Sequence, residues 1–173
     1  TFSVSLRRTR SGRFLLIESI QTLATEVRFI DAADPDGEPT VIEPRRRGVE
    51  YSVAHHGDRW LVVTNLDAPN FRLMAAPVAE PGRARWTELV PHRDDVLLES
   101  VEPFADFVVL EERRNGLARI VVADPETADR HEITFDESAY DVWVDENHDY
   151  ETSVLRFGYT SLTTPESIYE LDP

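Results

Sequence analysis

The strongest constraint on the fold of this chain is a set of short apolar runs that recur at nearly constant spacing. Phe14 and Trp60 open two of these runs and lie 46 residues apart, and the steps from Trp60 to Phe107 and from Phe107 to Val154 are both 47 residues. The runs are short and rich in β-branched residues, which is typical of strands buried on both faces. An internal period of this size, built from four strands, predicts the blades of a β-propeller.

Gly and Pro residues divide each repeat into short segments, and the segments predict an all-β chain. Asn115-Gly116 is the strongest signal for a hairpin turn in the sequence. We expect about four antiparallel, four-stranded blades at residues 1–47, 48–93, 94–139 and 140–173, the last of them incomplete. The predicted strands are 2–6, 14–18, 26–31, 40–43, 51–54, 60–64, 72–76, 86–90, 96–101, 107–112, 118–123, 131–135, 140–144, 153–159 and 167–171. A β-sandwich is the alternative, but a sandwich does not require one spacing to recur along the chain.

Composition limits the partners of the chain. It has 33 Asp and Glu residues against 18 basic residues, all of them Arg, and a net charge of −15. This charge opposes binding to a phosphate backbone, so we expect no nucleic-acid partner. The chain has no cysteine and no apolar run near the roughly 20 residues of a membrane span. We therefore expect no membrane partner and a cytoplasmic location.

The sequence carries no recognisable catalytic or cofactor motif. Gly-x-Ser-x-Gly, the pattern of a serine nucleophile elbow, is missing, and the seven glycines form no phosphate-binding loop. We therefore expect no cofactor, and we assign no catalytic or substrate-binding residue. The neighbouring carboxylates of Glu111 and Glu112, and of Asp94 and Asp95, would diverge on a strand. Solvated edges are the favoured interpretation of both pairs, and a catalytic carboxylate pair is the alternative.

The five histidines predict no metal centre. His55 and His56 are the only adjacent pair, and adjacent side chains of a strand point to opposite faces of the sheet. His92, His131 and His148 have no histidine partner at helical spacing. We interpret these histidines as residues of loops at blade rims.

Charged residues cluster in three places. Residues 124–151 contain 11 Asp or Glu residues and one Arg. This stretch is either a negative rim that attracts basic peptides or a set of solvated loops that protect edge strands, and the second interpretation is favoured. Arg45–Arg47 form one basic cluster, and Arg7, Arg8 and Arg10 form another. We expect both basic clusters to pair with surrounding carboxylates.

Four blades of ordinary curvature form an open arc. Each terminal blade of such an arc would expose an apolar face larger than a soluble monomer normally tolerates. We therefore expect the chain to be a piece of a longer propeller or to associate with itself through those faces. The first residues, which lack both an initiator Met and a signal-peptide pattern, are consistent with a cut end.

Five stretches, in unbroken order along the chain, form a further pattern. They are Thr25–Asp31, Asn70–Met74, His92–Glu99, Leu110–Leu117 and Arg156–Pro165. In this order they resemble the β-propeller of the oligopeptidase B (protease II) branch of the prolyl oligopeptidase family of serine peptidases. The resemblance implies the last four blades of a seven-bladed propeller.

In that family, a separate α/β-hydrolase domain carries the catalytic Ser, Asp and His, and the propeller covers the active site and admits only short peptides. The resemblance implies cleavage after Arg or Lys by the parent peptidase. Its partners would be the hydrolase domain and short basic peptides. Because none of the triad lies in this sequence, we expect this chain alone to be inactive. The competing interpretation is a stand-alone propeller that serves as a protein-binding scaffold.

Overall fold

The computed structural model describes residues 2–125 and 129–173. Within these ranges the fold is built from β-strands, with a single 3-10 turn at Arg83–Arg85. The strands are β1 Ser3–Arg8, β2 Phe14–Gln21, β3 Ala24–Asp31, β4 Thr40–Glu43, β5 Tyr51–His56, β6 Arg59–Thr64, β7 Arg72–Pro77, β8 Thr87–Val90, β9 Val96–Pro103, β10 Val108–Arg114, β11 Leu117–Ala123, β12 Arg130–Glu132, β13 Tyr140–Val144, β14 Leu155–Ser161 and β15 Ser167–Leu171. None of the helical structure in the described residues is long and apolar enough to cross a membrane.

Consecutive strands pair in antiparallel fashion to form four sheets. Three sheets have four strands each, in the orders β1-β2-β3-β4, β5-β6-β7-β8 and β9-β10-β11-β12, and the last has three, β13-β14-β15. Every strand predicted from the sequence is present in the expected order. The blade boundaries themselves, at residues 47, 93 and 139, stay a prediction.

Most strands differ from the predicted ranges by one to three residues at one or both ends, and β8, β12 and β14 are three of them. The strand predicted at 131–135 is β12, which ends at Glu132, and the Phe135 ring stacks on Tyr159 instead. The strand predicted to begin at Trp86 begins at Thr87, because a 3-10 turn precedes it and the Trp86 indole donates to the Pro81 carbonyl. The strand predicted at 153–159 is β14, which is shifted to 155–161.

The hairpin predicted at Asn115-Gly116 is confirmed by its backbone. Both residues have positive φ, 51° at Asn115 and 83° at Gly116, and β10 pairs with β11 directly on either side. Two successive residues with positive φ twist the turn to match the flanking strands, and Asn and Gly tolerate this conformation better than other residues. The predicted turn therefore sets the register of this sheet.

The chain forms two compact units, Thr1–His92 and Arg93–Pro173, each with two sheets and its own core. The first core lies between the first two sheets and includes Leu16, Val27 and Trp60. The second core lies between the last two sheets and includes Val109, Ile120 and Leu155. Burial of these side chains between facing sheets is the main source of stability in each unit.

Tyr51, at the start of β5, ties the second sheet to the first. The β3–β4 ladder shifts register between Val27 and Arg28. The Tyr51 hydroxyl accepts a hydrogen bond from the Val27 amide at 2.8 Å and donates to the Glu43 carbonyl at 2.6 Å. Burial raises the pKa of this phenol to about 12, so it remains a donor at physiological pH. One hydroxyl thus satisfies two backbone groups beside the irregularity.

We expect Tyr51→Phe to lower the free energy of unfolding by about 1–3 kcal/mol, because it leaves two backbone groups without their partner. The measurement is urea unfolding of the 173-residue chain. Tyr169→Phe is the matched control. Tyr169 is 44% exposed, so removing its hydroxyl should leave no buried polar group without a hydrogen-bond partner. Equal stabilities of the two variants would contradict the assigned role of Tyr51.

The outer face of the first sheet is apolar and open within its unit. Val4 lies opposite Ser19 and Leu6 lies opposite Ile17, so these side chains share the face that points away from the core. Val4 is 69% exposed and Leu6 is 67% exposed. In the last sheet the open face carries Trp143, whose indole lies against Gly158, where a Cβ atom would overlap the ring.

Candidate functional site

Ser11 and His55 form a serine–histidine contact in the first unit. The Ser11 Oγ lies 2.8 Å from the His55 Nδ1, and the Thr9 Oγ1 lies 3.0 Å from the Ser11 Oγ. Ser11 belongs to the β1–β2 turn and His55 to β5, so the contact joins two sheets. His55 is buried between the rings of Phe14 and Trp60, at centroid distances of 4.8 and 5.4 Å.

The surroundings of His55 do not suit a catalytic base. In a serine peptidase the second ring nitrogen of the histidine is held by a carboxylate that stabilises the imidazolium. The Nε2 of His55 is buried and has no hydrogen-bond partner. Burial lowers the pKa of His55 to about 4, and the nearby charges of Arg13 and His56 act in the same direction. The ring is therefore neutral and structural, and the contact links the two sheets without activating Ser11.

The interpretation of the histidines as loop residues is wrong for His55, His56 and His131, which lie in strands β5 and β12. His56 is buried at the end of β5, His131 lies in β12, and His148 is an exposed residue 3.4 Å from a Glu146 carboxylate oxygen. Among the described residues, no three His, Cys, Asp or Glu side chains converge as metal ligands would. These residues offer no donor set with the geometry of a zinc or calcium site.

Glu111 and Glu112 are neighbours on β10 and have different partners, whereas Asp94 and Asp95 lie in the turn before β9 rather than on a strand. Glu111 accepts hydrogen bonds from the Ser100 hydroxyl at 2.6 Å and the Val144 amide at 3.0 Å. Glu112 is buried and forms an ion pair with Arg93. Asp95 pairs with Arg114 at 2.9 Å on the surface. Glu111 therefore links β10 to β13 of the next sheet, Glu112 is buried in an ion pair, and the expected solvated edge describes Asp95 but neither glutamate.

A cleft with acidic walls lies at one edge of the second unit. Its volume is about 450 Å³. The residues around it include four aspartates and two basic side chains, namely Asp106, Asp124, Asp129, Asp172, Arg130 and His131. Asp106 belongs to the β9–β10 turn, and Asp124 and Asp129 flank β11 and β12, so turns at the same edge of this sheet supply the charge. The cleft can attract a cationic group by its summed field.

Only part of the acidic stretch 124–151 faces this cleft. Glu132 is paired with Arg119 at 2.7 Å. Glu137 accepts hydrogen bonds from the Thr163 and Thr164 hydroxyls, both at 2.9 Å. Hydrogen bonds from the Ser161 and Thr163 hydroxyls lower the pKa of Glu137. Glu126 belongs to the same stretch but lies outside the described residues.

The two basic clusters behave differently. Arg7 pairs with Glu18 at 2.8 Å, as expected, and also donates to the Val53 carbonyl at 2.6 Å. Arg8 donates instead to the Gly12 carbonyl at 2.7 Å. For Arg46 and Arg47 the predicted pairing is wrong, since no carboxylate of residues 2–125 or 129–173 forms an ion pair with either guanidinium. The loop directs both side chains to solvent, where they are exposed.

Sequence reasoning missed the two hydroxyl contacts between sheets, Ser11 to His55 and Tyr51 to Val27. Their partners are 44 and 24 residues apart, so no local pattern links them. The blade period could have pointed to them, because residues at turns and first strands of successive repeats become neighbours when the sheets stack.

Comparison with known proteins assigns this arrangement of sheets to a family. Residues 1–173 match the family model described as prolyl oligopeptidase, N-terminal beta-propeller domain. The chain is 39% identical over 173 residues to a dipeptidyl aminopeptidase BI of Pseudoxanthomonas mexicana, covering 99% of this chain and 24% of the relative. It is 31% identical to a Protease 2 of Moraxella lacunata, again over 99% of this chain and 24% of the relative. The chain thus spans about a quarter of the length of these curated relatives.

Solved structures show the same fold. Oligopeptidase B from Trypanosoma brucei, with covalently bound antipain in a closed form, superposes with a TM-score of 0.92 at 32% identity, over 99% of this chain and 26% of that one. Oligopeptidase B from Leishmania major gives a TM-score of 0.88 at 29% identity, over 99% of this chain and 26% of that one. The expectation of an all-β chain made of propeller blades is therefore confirmed. This chain belongs to the prolyl oligopeptidase family and forms part of its N-terminal β-propeller domain.

Proposed function

We propose that this chain is the non-catalytic propeller segment of an oligopeptidase B-like serine peptidase. In this proposal it supplies the last four of seven blades and limits the size of peptides that reach a hydrolase domain outside these 173 residues. The match of the whole chain to a peptidase propeller carries the proposal. The parent enzyme would cleave short peptides after Arg or Lys and act in the cytoplasm.

The geometry around Ser11 supports a non-catalytic role for this segment. A nucleophile, a base and an oxyanion hole must be held together for acyl transfer. The Ser11–His55 contact has a neutral, buried imidazole with no carboxylate behind it. The reactive serine of the parent would therefore lie in the hydrolase domain.

The test is hydrolysis of a short chromogenic peptide that ends in Arg. We expect turnover by the full-length protein that a fluorophosphonate reagent abolishes, and no turnover or labelling of the 173-residue chain. Turnover by this chain alone, with labelling of Ser11, would overturn the proposal. A full-length protein that hydrolyses no such peptide would favour the protein-binding scaffold instead.

The acidic cleft supports basic peptides as the substrate class. Asp106 and Asp129 are both exposed at its edge, so a cationic ligand in solution can approach their carboxylates. Fields of this kind raise the local concentration of cationic ligands and weaken as salt is added.

We expect the Asp106→Asn/Asp129→Asn variant of the full-length protein to raise KM for an Arg peptide about three- to tenfold at low salt, with kcat unchanged. The difference should shrink at 0.5 M NaCl. The matched control is Asp36→Asn/Glu38→Gln, which removes the same charge from an exposed loop of the first unit. Equal effects of the two variants would show that net charge matters and the cleft does not.

The open face of the first sheet supports self-association of the chain when it is studied alone. Its apolar side chains, Val4 and Leu6 foremost, lie on β1, in a sheet whose β2 and β3 pack their other face against a second sheet. Blades of a propeller bury both faces against their neighbours. This open face is therefore the surface that a neighbouring blade, or a second copy, would cover.

We expect light scattering to give a mass above 19.8 kDa for the 173-residue chain at micromolar concentration. Leu6→Glu should shift the chain towards the monomer, because it places a charge in the apolar face. Leu162→Glu, the same change at a side chain that is 93% exposed in the second unit, is the control. A monomer in all three samples would contradict the assignment.

A further inference from the structure

We propose that the cleft beside Arg45–Arg47 is a docking site for an acidic segment of the polypeptide that lies outside these 173 residues. This inference rests on the proposed function, because it takes the chain to be one part of a longer peptidase. It assigns a role to Arg46 and Arg47, which form no ion pair with a carboxylate of the described residues, whereas the Arg45 amide donates to the Glu26 carboxylate at 3.2 Å.

The cleft lies between the β2–β3 turn and the β4–β5 connection of the first unit. Its volume is about 410 Å³, and its walls are formed by Gln21, Thr22, Leu23, Ala24, Arg45 and Arg47. The Leu23 side chain is 55% exposed. The cleft therefore offers an apolar surface and guanidinium groups side by side, which suits a carboxylate side chain with an apolar neighbour.

The backbone of the cleft is held in place. The Gly48 amide donates to the Leu23 carbonyl at 2.7 Å, and the Thr25 amide donates to the Val49 carbonyl at 3.2 Å. Gly48 adopts a φ of 82°, which side-chain-bearing residues rarely tolerate and which lets the connection fold back on the turn. A site whose backbone is already ordered loses little entropy when a ligand binds.

The three arginines of the cluster are not equivalent. Arg45 lies over the Phe2 ring at 4.1 Å and donates to the Ser19 hydroxyl at 2.6 Å. Arg46 and Arg47 make no such contact with the described parts of the chain, and both are exposed. In a chain of net charge −15, carboxylates are abundant, and two neighbouring cations without one are complementary to an anion from elsewhere.

The topology of the first sheet favours the remaining polypeptide as that partner. The chain enters β1 at Ser3, opposite Ile20 and beside the β2–β3 turn, and an even number of antiparallel strands returns it to the same edge. Domains joined to whole blades are therefore connected at the edge where the cleft lies. The curated relatives are about four times as long as the span matched here, so most of their polypeptide is available to contact this edge.

Carbodiimide cross-linking of the full-length protein tests the proposal. The reagent joins a lysine amine to a carboxylate in direct contact, and this chain contains no lysine of its own. In the R46K and R47K variants, the introduced amine should form a cross-link to an Asp or Glu outside residues 1–173, identified by mass spectrometry after digestion. The control is R85K, because Arg85 pairs with Glu80 at an exposed site and its replacement should cross-link to Glu80.

Each outcome decides the matter. Cross-links from R46K or R47K to carboxylates outside residues 1–173 support docking. No such cross-link, while R85K reacts with Glu80, overturns it. Cross-links between two copies, detected by mixing ¹⁴N- and ¹⁵N-labelled protein, also overturn it in favour of a second copy. The hydrolysis assay on the same preparations reports separately on the proposed function, since an inactive wild-type protein would leave the cross-linking result intact.

Discussion

Trp60→Ala should lower the free energy of unfolding of the first unit by about 3–5 kcal/mol, the range for truncating a large buried aromatic residue. The Trp60 side chain is fully buried on β6. Its ring contacts those of Phe14 and Phe29, at centroid distances of 5.1 and 4.9 Å. Removing it opens a cavity between two sheets whose backbones are fixed by their ladders, so the site cannot collapse.

Urea unfolding of the 173-residue chain measures this loss. Trp60→Phe should cost less than half as much, because the indole nitrogen has no hydrogen-bond partner to lose and a ring still fills the site. Leu162→Ala is the matched surface control, since Leu162 is 93% exposed, and it should stay within about 0.5 kcal/mol of wild type. A Trp60→Ala cost below that of Trp60→Phe would contradict the packing described for this core.

The second large effect is a loss of stability in mild acid that depends on His55. Its pKa is about 4 in the folded chain against 6.5 in an unfolded one. Between these values the unfolded chain binds a proton that the folded chain does not, so the free energy of unfolding falls as the pH falls. From pH 7 to pH 5 the expected loss from this residue is about 2 kcal/mol. Above pH 7 its contribution is constant.

The His55→Gln variant isolates this contribution, because it removes the titrating group. Its unfolding free energy should fall by about 2 kcal/mol less than that of wild type between pH 7 and pH 5. His148→Gln is the control, since His148 is 87% exposed and its removal should leave the pH dependence unchanged. Identical pH profiles for wild type and His55→Gln would show that His55 takes up its proton without opposing the fold.

Much of the fold could be predicted because its signals are local. The turn at Asn115-Gly116 requires two positive φ values, and the apolar run that begins at Trp60 is too short for a helix. Both properties can be seen within a few residues of sequence. The spacing between such runs then gives the number of sheets.

The site-level features were harder to predict because they depend on contacts between sheets. The buried Glu112 pairs with Arg93, 19 residues away, and the neighbouring Glu111 reaches the Val144 amide of another sheet, 33 residues away. A carboxylate on a strand looks the same in sequence whether it faces water or a guanidinium. The sequence likewise did not indicate that Arg46 and Arg47 form no ion pair with the described residues, since acidic residues are plentiful in the chain.

Each four-stranded sheet begins and ends at the same edge. Gene duplication or deletion of one such unit would leave the flanking polypeptide attached at an unchanged position, so whole repeats can be gained or lost without re-routing the chain. A three-stranded or five-stranded unit would move the next segment to the opposite side. Evolution of this architecture is therefore expected to proceed by the gain or loss of entire sheets. Engineered variants should likewise add or remove a complete four-stranded sheet, so that the flanking polypeptide stays at the same edge.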